Sequence, residues 1–141
     1  MKNINIYLNF DGNLEDAFNF YREVFQGEYI SLKKYMEMPH GDSLVPEDRE
    51  KVMHAELKIG EGMALMGCDI LKTWGQSITR GTNFYINITP DTEKEAHLIF
   101  NKLSAGGEVQ MPLQRTFWGT IFGTVTDKFQ TQWMINLTIE K

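Results

Sequence analysis

A single cysteine and four prolines are all this 141-residue chain contains of those residues, and it has no apolar run approaching the roughly 20 residues of a membrane span. Cys68 has no partner with which to close an internal disulfide, so the fold must rest on packing, as fits a reducing compartment. Met1-Lys2-Asn3-Ile4 passes straight into an alternating pattern with no signal-peptide core, so the expected location is the cytoplasm, with no membrane partner. Basic excess is also missing. Lys and Arg number 14 against 19 Asp and Glu, a net charge of −5 at pH 7, and nucleic-acid partners are disfavoured. What is present is a hydrophobic fraction of 42%, enough to build one domain, 1–141, around a sizeable core.

The chain repeats itself. Asn5-Ile6-Tyr7-Leu8-Asn9 returns as Asn83-Phe84-Tyr85-Ile86-Asn87, and both read as strands with Asn, Tyr and Asn on one face, because successive strand side chains alternate. A turn and an amphipathic helix follow each. The first helix has its stripe at Leu14, Ala17, Phe18, Tyr21 and Val24, the second at Ala96, Ile99, Phe100 and Leu103. The helices align with Gly27 over Gly106 if one extra residue sits in the second turn. Asn13 is the expected cap of the first helix, Thr92 with Glu95 reads as a capping box on the second, and Gly27 and Gly106-Gly107 read as left-handed stops. Three further strands are expected in each half, at 28–36, 52–59 and 63–66, then 108–112, 119–124 and 133–139. Each half is therefore βαβββ, with repeat one at 1–71, a linker at 72–81 and repeat two at 82–141. The polar stretch from Pro39 to Glu50 reads as a mobile loop. One face of such a sheet is covered by its helix, and the other is free to enclose a ligand.

Several phrases carry a family resemblance: Tyr7-Leu8-Asn9-Phe10-Asp11-Gly12-Asn13, Phe20 to Phe25, Met53-His54-Ala55-Glu56-Leu57 and Leu65 to Asp69. The most specific are Phe117-Trp118-Gly119, Phe122-Gly123, Asp127-Lys128-Phe129 and Gln132-Trp133. Over essentially its whole length the chain resembles the PhnB-like branch of the glyoxalase/bleomycin-resistance/dioxygenase (vicinal oxygen chelate) superfamily. The resemblance implies an α+β fold of two βαβββ repeats forming a half-open mixed β-sheet barrel, completed in a homodimer over a ligand cavity. It implies no single reaction, since the superfamily spans lyases, epimerases, dioxygenases, thiol transferases and proteins that only sequester drugs. Gln130 departs from the pattern, standing where relatives usually carry a glycine, so that turn is built without glycine's freedom at positive φ.

Catalytic superfamily members place one His or Glu on each of four strands around a divalent metal. Here the opening strands offer Tyr7 and Tyr85, and the closing strands offer Met63 to Met66 and Met134, so neither a metal nor any other cofactor is expected. A usual adenosylmethionine domain needs a glycine-rich turn between strand and helix, and no G-x-G-x-G occurs. Two sets of site residues remain. Alternation puts His54 and Glu56 on one strand face, an acid/base pair if Glu56 or Asp69 orients the imidazole, beside the alternative of a plain polar strand face. Tyr7, Asn9, Asn83, Tyr85, Trp118 and Phe122 are the candidate ligand-binding residues, with Phe122 and Trp133 also read as packing. His40 and His97 are expected in solvent. The expected function is metal-independent binding of a small organic ligand in a polar-aromatic cavity. The alternatives are a lyase, hydrolase or transferase using His54, and a subunit that only associates with other protein.

Overall fold

The computed structural model describes residues 1–139, so the last two positions of the expected second repeat lie outside it. The chain folds as two compact units, Met1–Thr79 and a second from Arg80 onwards. The first contains β1 (Ile6–Phe10), α1 (Leu14–Phe25), β2 (Glu28–Lys34), the four-residue helix α2 (Pro46–Arg49), β3 (Val52–Gly60) and β4 (Met63–Asp69). The second contains β5 (Ile86–Ile88), α3 (Glu93–Ser104), β6 (Glu108–Arg115), β7 (Thr120–Thr126) and β8 (Gln132–Thr138).

Each unit is a four-stranded mixed sheet with the same topology, β1-β4-β3-β2 and β5-β8-β7-β6. The opening strand lies parallel to the closing one, and the other pairs are antiparallel. Neither sheet closes on itself. The extra residue expected in the second repeat is found where it was expected. Positions 11–13 join β1 to α1, whereas 89–92 join β5 to α3.

The helix stripes are the cores. Leu14, Ala17, Phe18, Tyr21 and Val24 are all buried in the first unit, against Leu8, Phe10, Ala55, Leu57 and Leu65 from the same unit's strands. In the second unit Ala96, Ile99, Phe100 and Leu103 are buried, as are Ile121, Val125, Trp133 and Ile135. Burying each large side chain contributes about 1.5–3 kcal/mol, which is why period-3.6 and period-2 apolar patterns set which face each element turns inward.

The ends of the helices depart from the expectation. Asn13 makes no side-chain cap bond. Asp69, the last residue of β4 and the register partner of Phe10, accepts instead from the backbone N–H groups of Gly12 and Leu14 at 2.9 and 3.0 Å. The left-handed stop of α1 is Gln26, at φ 54°, and not Gly27. Gly27 answers a different need, because a Cβ there would collide with the carbonyl oxygen of Lys58 on β3. Gly107 meets the carbonyl of Thr126 in the same way, so Gly107 is the counterpart of Gly27, while Gly106 supplies the positive φ of 74°. The capping of α3 is as expected on one side. Thr92 accepts from the Glu95 N–H, but the Glu95 carboxylate reaches the N–H of Asp91 instead of Thr92.

The stretch expected as a mobile loop is a folded strap. A 3-10 turn at Tyr35–Glu37, another at Gly41–Ser43 and α2 follow in succession. Asp48, almost fully buried, accepts from the Thr73 hydroxyl at 2.7 Å and pairs with Lys51 at 3.1 Å. Tyr35 donates to the carbonyl of Asp69 at 2.8 Å and meets the Trp74 ring edge-on. Lys72–Trp74, expected as the start of a linker, is thereby part of the first unit. Apolar periodicity is absent here, but a buried carboxylate organises the segment in its place.

Candidate functional site

In the first unit, the face of the sheet away from α1 is assembled from alternate residues of all four strands. Tyr7 pairs with Met66 and Asn9 with Cys68 across β1 and β4, Glu56 with Met66 across β3 and β4, and Glu56 with Ser31 and His54 with Lys33 across β2 and β3. Their intervening neighbours Leu8, Ala55, Leu57, Leu65 and Gly67 are buried beneath the helix. The expected juxtaposition of His54 and Glu56 is therefore present on the open face, with both side chains half-buried.

Tyr7 leans across the small Cys68 toward His54. Its Oη lies 3.5 Å from His54 Nδ1, a long contact, with ring centroids 6.1 Å apart. Burial, and after it the neighbouring Cys68 thiol, pushes the Tyr7 phenol up to about 12, so near neutral pH it is a protonated donor. Cys68 donates to Asn9 Oδ1 at 3.4 Å, and burial raises its thiol, which leaves it a poor nucleophile. Asp69 lies on the opposite face. Its Oδ1 accepts from Gly12 and Leu14 and its Oδ2 from Val52 N–H at 2.8 Å, so its carboxylate is spent on three backbone donors. The group the structure sets beside His54 is Tyr7. Its signal in the sequence was the N-x-Y-x-N strand, but the reach across β4 depends on register.

The second unit's open face is built from Asn87, Met134, Asn136, Thr124 and Phe122, with Gln114 opposite Phe122 and Met111 opposite Thr124. Of the candidate residues here only Phe122 lies in a strand, half-buried and paired with Asn136. β5 begins at Ile86, so Asn83 and Tyr85 precede it, and Gln132 secures the approach by donating to the Phe84 carbonyl. Trp118 sits in the β6–β7 turn with Gly119 at φ 90°, its ring edge-on to a Phe117 that is 97% exposed. Register places Tyr85 beyond the Ile86–Trp133 end of the sheet and Trp118 beyond the Thr120–Thr138 end, separated by a strand length of about 20 Å. The structure does not bring these two together. Trp133, by contrast, is fully buried, with its Nε1 donating to Asp127. The neutral lining by Thr124, Met134 and Asn136 was missed, although alternation along β7 and β8 carries its signal.

The divalent-metal set of the fold's metal-dependent members does not fit these faces. His54, Glu56 and Cys68 stand on the first face among phenol, thioether and amide groups, but among the described residues no group of three His, Cys, Asp or Glu side chains is placed to hold a metal. His40 takes the left-handed conformation at φ 64° in the strap, and His97 is exposed beside Glu93. No helix among the described residues is long and apolar enough to cross a membrane.

Residues 2–136 match the family described as 3-demethylubiquinone-9 3-methyltransferase. Protein YjdN of Escherichia coli strain K12 is 31% identical over 139 residues, covering 93% of this chain and 92% of that one. Protein PA1353 from Pseudomonas aeruginosa superposes with a TM-score of 0.85 at 33% identity, over 99% of this chain and 100% of the other. The PhnB protein from Bacillus cereus, which shares the methyltransferase description, superposes at 0.77 with 28% identity, over 97% and 100%. A glyoxalase/bleomycin resistance protein/dioxygenase family enzyme from Burkholderia phytofirmans, at 17% identity and a TM-score of 0.63 over 94% and 97%, shares the fold alone.

The methyltransferase description implies adenosylmethionine, whose usual seat is a strand–turn–helix passage with free backbone amides. Both such passages here are filled from within. Asp69 occupies the start of α1, and Thr92 and Glu95 occupy the start of α3. Adenosylmethionine therefore does not fit these passages, and what the matches share with this chain is lineage and fold. The chain belongs to the family described as 3-demethylubiquinone-9 3-methyltransferase, in its PhnB-like form on the glyoxalase/bleomycin-resistance fold.

Proposed function

We propose that this chain is a metal-independent binding protein that takes a small organic ligand on its open, polar-aromatic sheet faces, as a homodimer in the cytoplasm. The first sheet's face carries the reading. Tyr7, Asn9, His54 and Glu56 surround Met66 and Cys68 there, a mixture of donors, acceptors and polarisable surface that suits an organic molecule better than a metal ion. In the second unit, taken by itself, the face of Phe122 with Asn87, Thr124 and Asn136 supports contact with an uncharged molecule. Asn83, Tyr85 and Trp118 would act from outside the strands. Exposed apolar residues such as Phe84, Met111, Phe117 and Trp118 support association of two copies, and the single thiol suits a reducing compartment.

A second reading is favoured by the Tyr7–His54 contact: an enzyme that moves a proton through His54, with Glu56 on the same face. Asp69 would serve it only by holding β3, β4 and α1 in place. Ligand-observed NMR against a library of small acids, amines and neutral aromatics tests binding. A hit that weakens at least about tenfold in Tyr7→Phe and His54→Ala supports the first reading, and turnover abolished in His54→Ala supports the second. A blank screen with a monomeric protein on light scattering overturns the binding reading.

A further inference from the structure

The two open faces differ in charge. The second unit's face is neutral along its middle, at Asn87, Met134, Asn136, Thr124, Phe122 and Gln114, and carries a carboxylate, Glu108 opposite Thr126, at one end. The first unit's face carries Lys33, His54, Glu56, Lys58 and Glu28 together with Tyr7 and Cys68. These groups are ordered along the sheet. Glu28 faces Lys58 at one end, Glu56 lies in the middle opposite Ser31, and Lys33 faces His54 at the other end.

Away from this face, three of the unit's lysines are ion-paired and Lys2 is not. Lys34 meets Glu15 and Glu50 at 3.4 Å each, Lys51 meets Asp48 at 3.1 Å and Lys72 meets Asp11 at 3.0 Å. Lys33 makes no ion pair among the described residues, in a chain with an excess of five negative charges. His54 keeps Nε2 unengaged, because its only hydrogen-bond contact is Nδ1 with Tyr7. Tyr7, held protonated by burial, has one O–H, which by donating to His54 Nδ1 leaves Nε2–H as the outward donor of the imidazole. An ammonium on β2, an imidazole on β3 and a phenol reaching over β4 from β1 thus form a row across the sheet, with the carboxylate of Glu56 two residues along β3 on the same face.

We infer that the Lys33–His54–Tyr7 row across the first sheet takes the oxyanion of the ligand, a carboxylate or a phosphate. This rests on the binding reading above and narrows it from any organic molecule to an organic acid. Charge-assisted bonds from lysine and imidazole dominate such recognition, and the phenol adds direction.

The test follows the His54 and Tyr7 ring resonances by NMR during titration with acetate, inorganic phosphate and the neutral isostere acetamide. Acetate or phosphate should shift His54 saturably and acetamide should not; the stronger of the two anions identifies the source. Lys33→Met, a change at an exposed edge-strand position, should raise the apparent Kd about fivefold and leave the fold intact. Equal responses to acetamide and acetate, or an unchanged Kd in Lys33→Met, overturn the oxyanion assignment while the ligand reading stands. No response to any of the three, alongside binding of a neutral compound in the library screen, overturns it equally.

Discussion

Replacing Asp69 separates a structural carboxylate from a catalytic one. Its two oxygens accept three backbone hydrogen bonds, from Gly12, Leu14 and Val52, at 2.9, 3.0 and 2.8 Å, and the residue is about 1% exposed. Asp69→Ala strands all three N–H groups where water cannot reach them freely. Hydrogen bonds to a charged group contribute about 1.5–3 kcal/mol each, but local relaxation and water recover part of that, so a loss of about 3–5 kcal/mol is expected. That is a large share of the roughly 5–15 kcal/mol that holds a domain folded. Asp69→Asn keeps an oxygen for Gly12 and Leu14 and turns an N–H₂ against Val52 N–H, so about 1.5–3 kcal/mol is lost. Guanidinium denaturation with a common m-value measures both. The reasoning fails if Asp69→Ala costs under about 1 kcal/mol, or if Asp69→Asn proves the worse of the two.

Two further outcomes are expected. Gln130 sits at φ 70° in the β7–β8 turn, a left-handed position costly for a residue with a Cβ, so Gln130→Gly should raise stability by about 0.5–1 kcal/mol, and a lowered denaturation midpoint would contradict this. The Thr73 hydroxyl, and after it Lys51, hold the Asp48 carboxyl below its usual range. A depressed folded-state value stabilises above the unfolded value near 4 and is lost as pH falls through the folded one, so the stability gap between wild type and Asp48→Asn should be full at pH 6 and close toward pH 3. A gap independent of pH would remove the charge from the explanation.

Much of the architecture was legible because it depends on local periodicity. The buried stripe of α1 from Leu14 to Val24 and that of α3 from Ala96 to Leu103 coincide with the apolar spacing, and the duplicated N-x-Y-x-N strands announce the two sheets. What escaped depends on partners distant in sequence. Asp69 caps a helix 55 residues away, where Asn13 offered a local candidate. Gly27 is set by the approach of β3, which its own neighbourhood cannot reveal. The strap from Tyr35 to Lys51 has no apolar rhythm, and its order comes from Asp48 meeting Thr73. In the site, alternation sufficed to place His54 beside Glu56, whereas Lys33 and the reach of Tyr7 required strand order and register. Tyr85 read as a strand residue although β5 begins one position further on, at Ile86, and Trp118, expected just before a strand at 119, lies two positions before β7 at Thr120.

The reading as a whole turns on the absence of a metal-binding donor set from the open faces. The measurement that tests it most directly is the metal content of protein purified without chelator, followed by thermal shift against Ni, Zn, Mn and Fe(II). The account predicts metal well below one equivalent and an unmoved melting temperature with each ion; a stoichiometric, tightly held metal with a large upward shift would contradict it and make a chelate-type enzyme the better description.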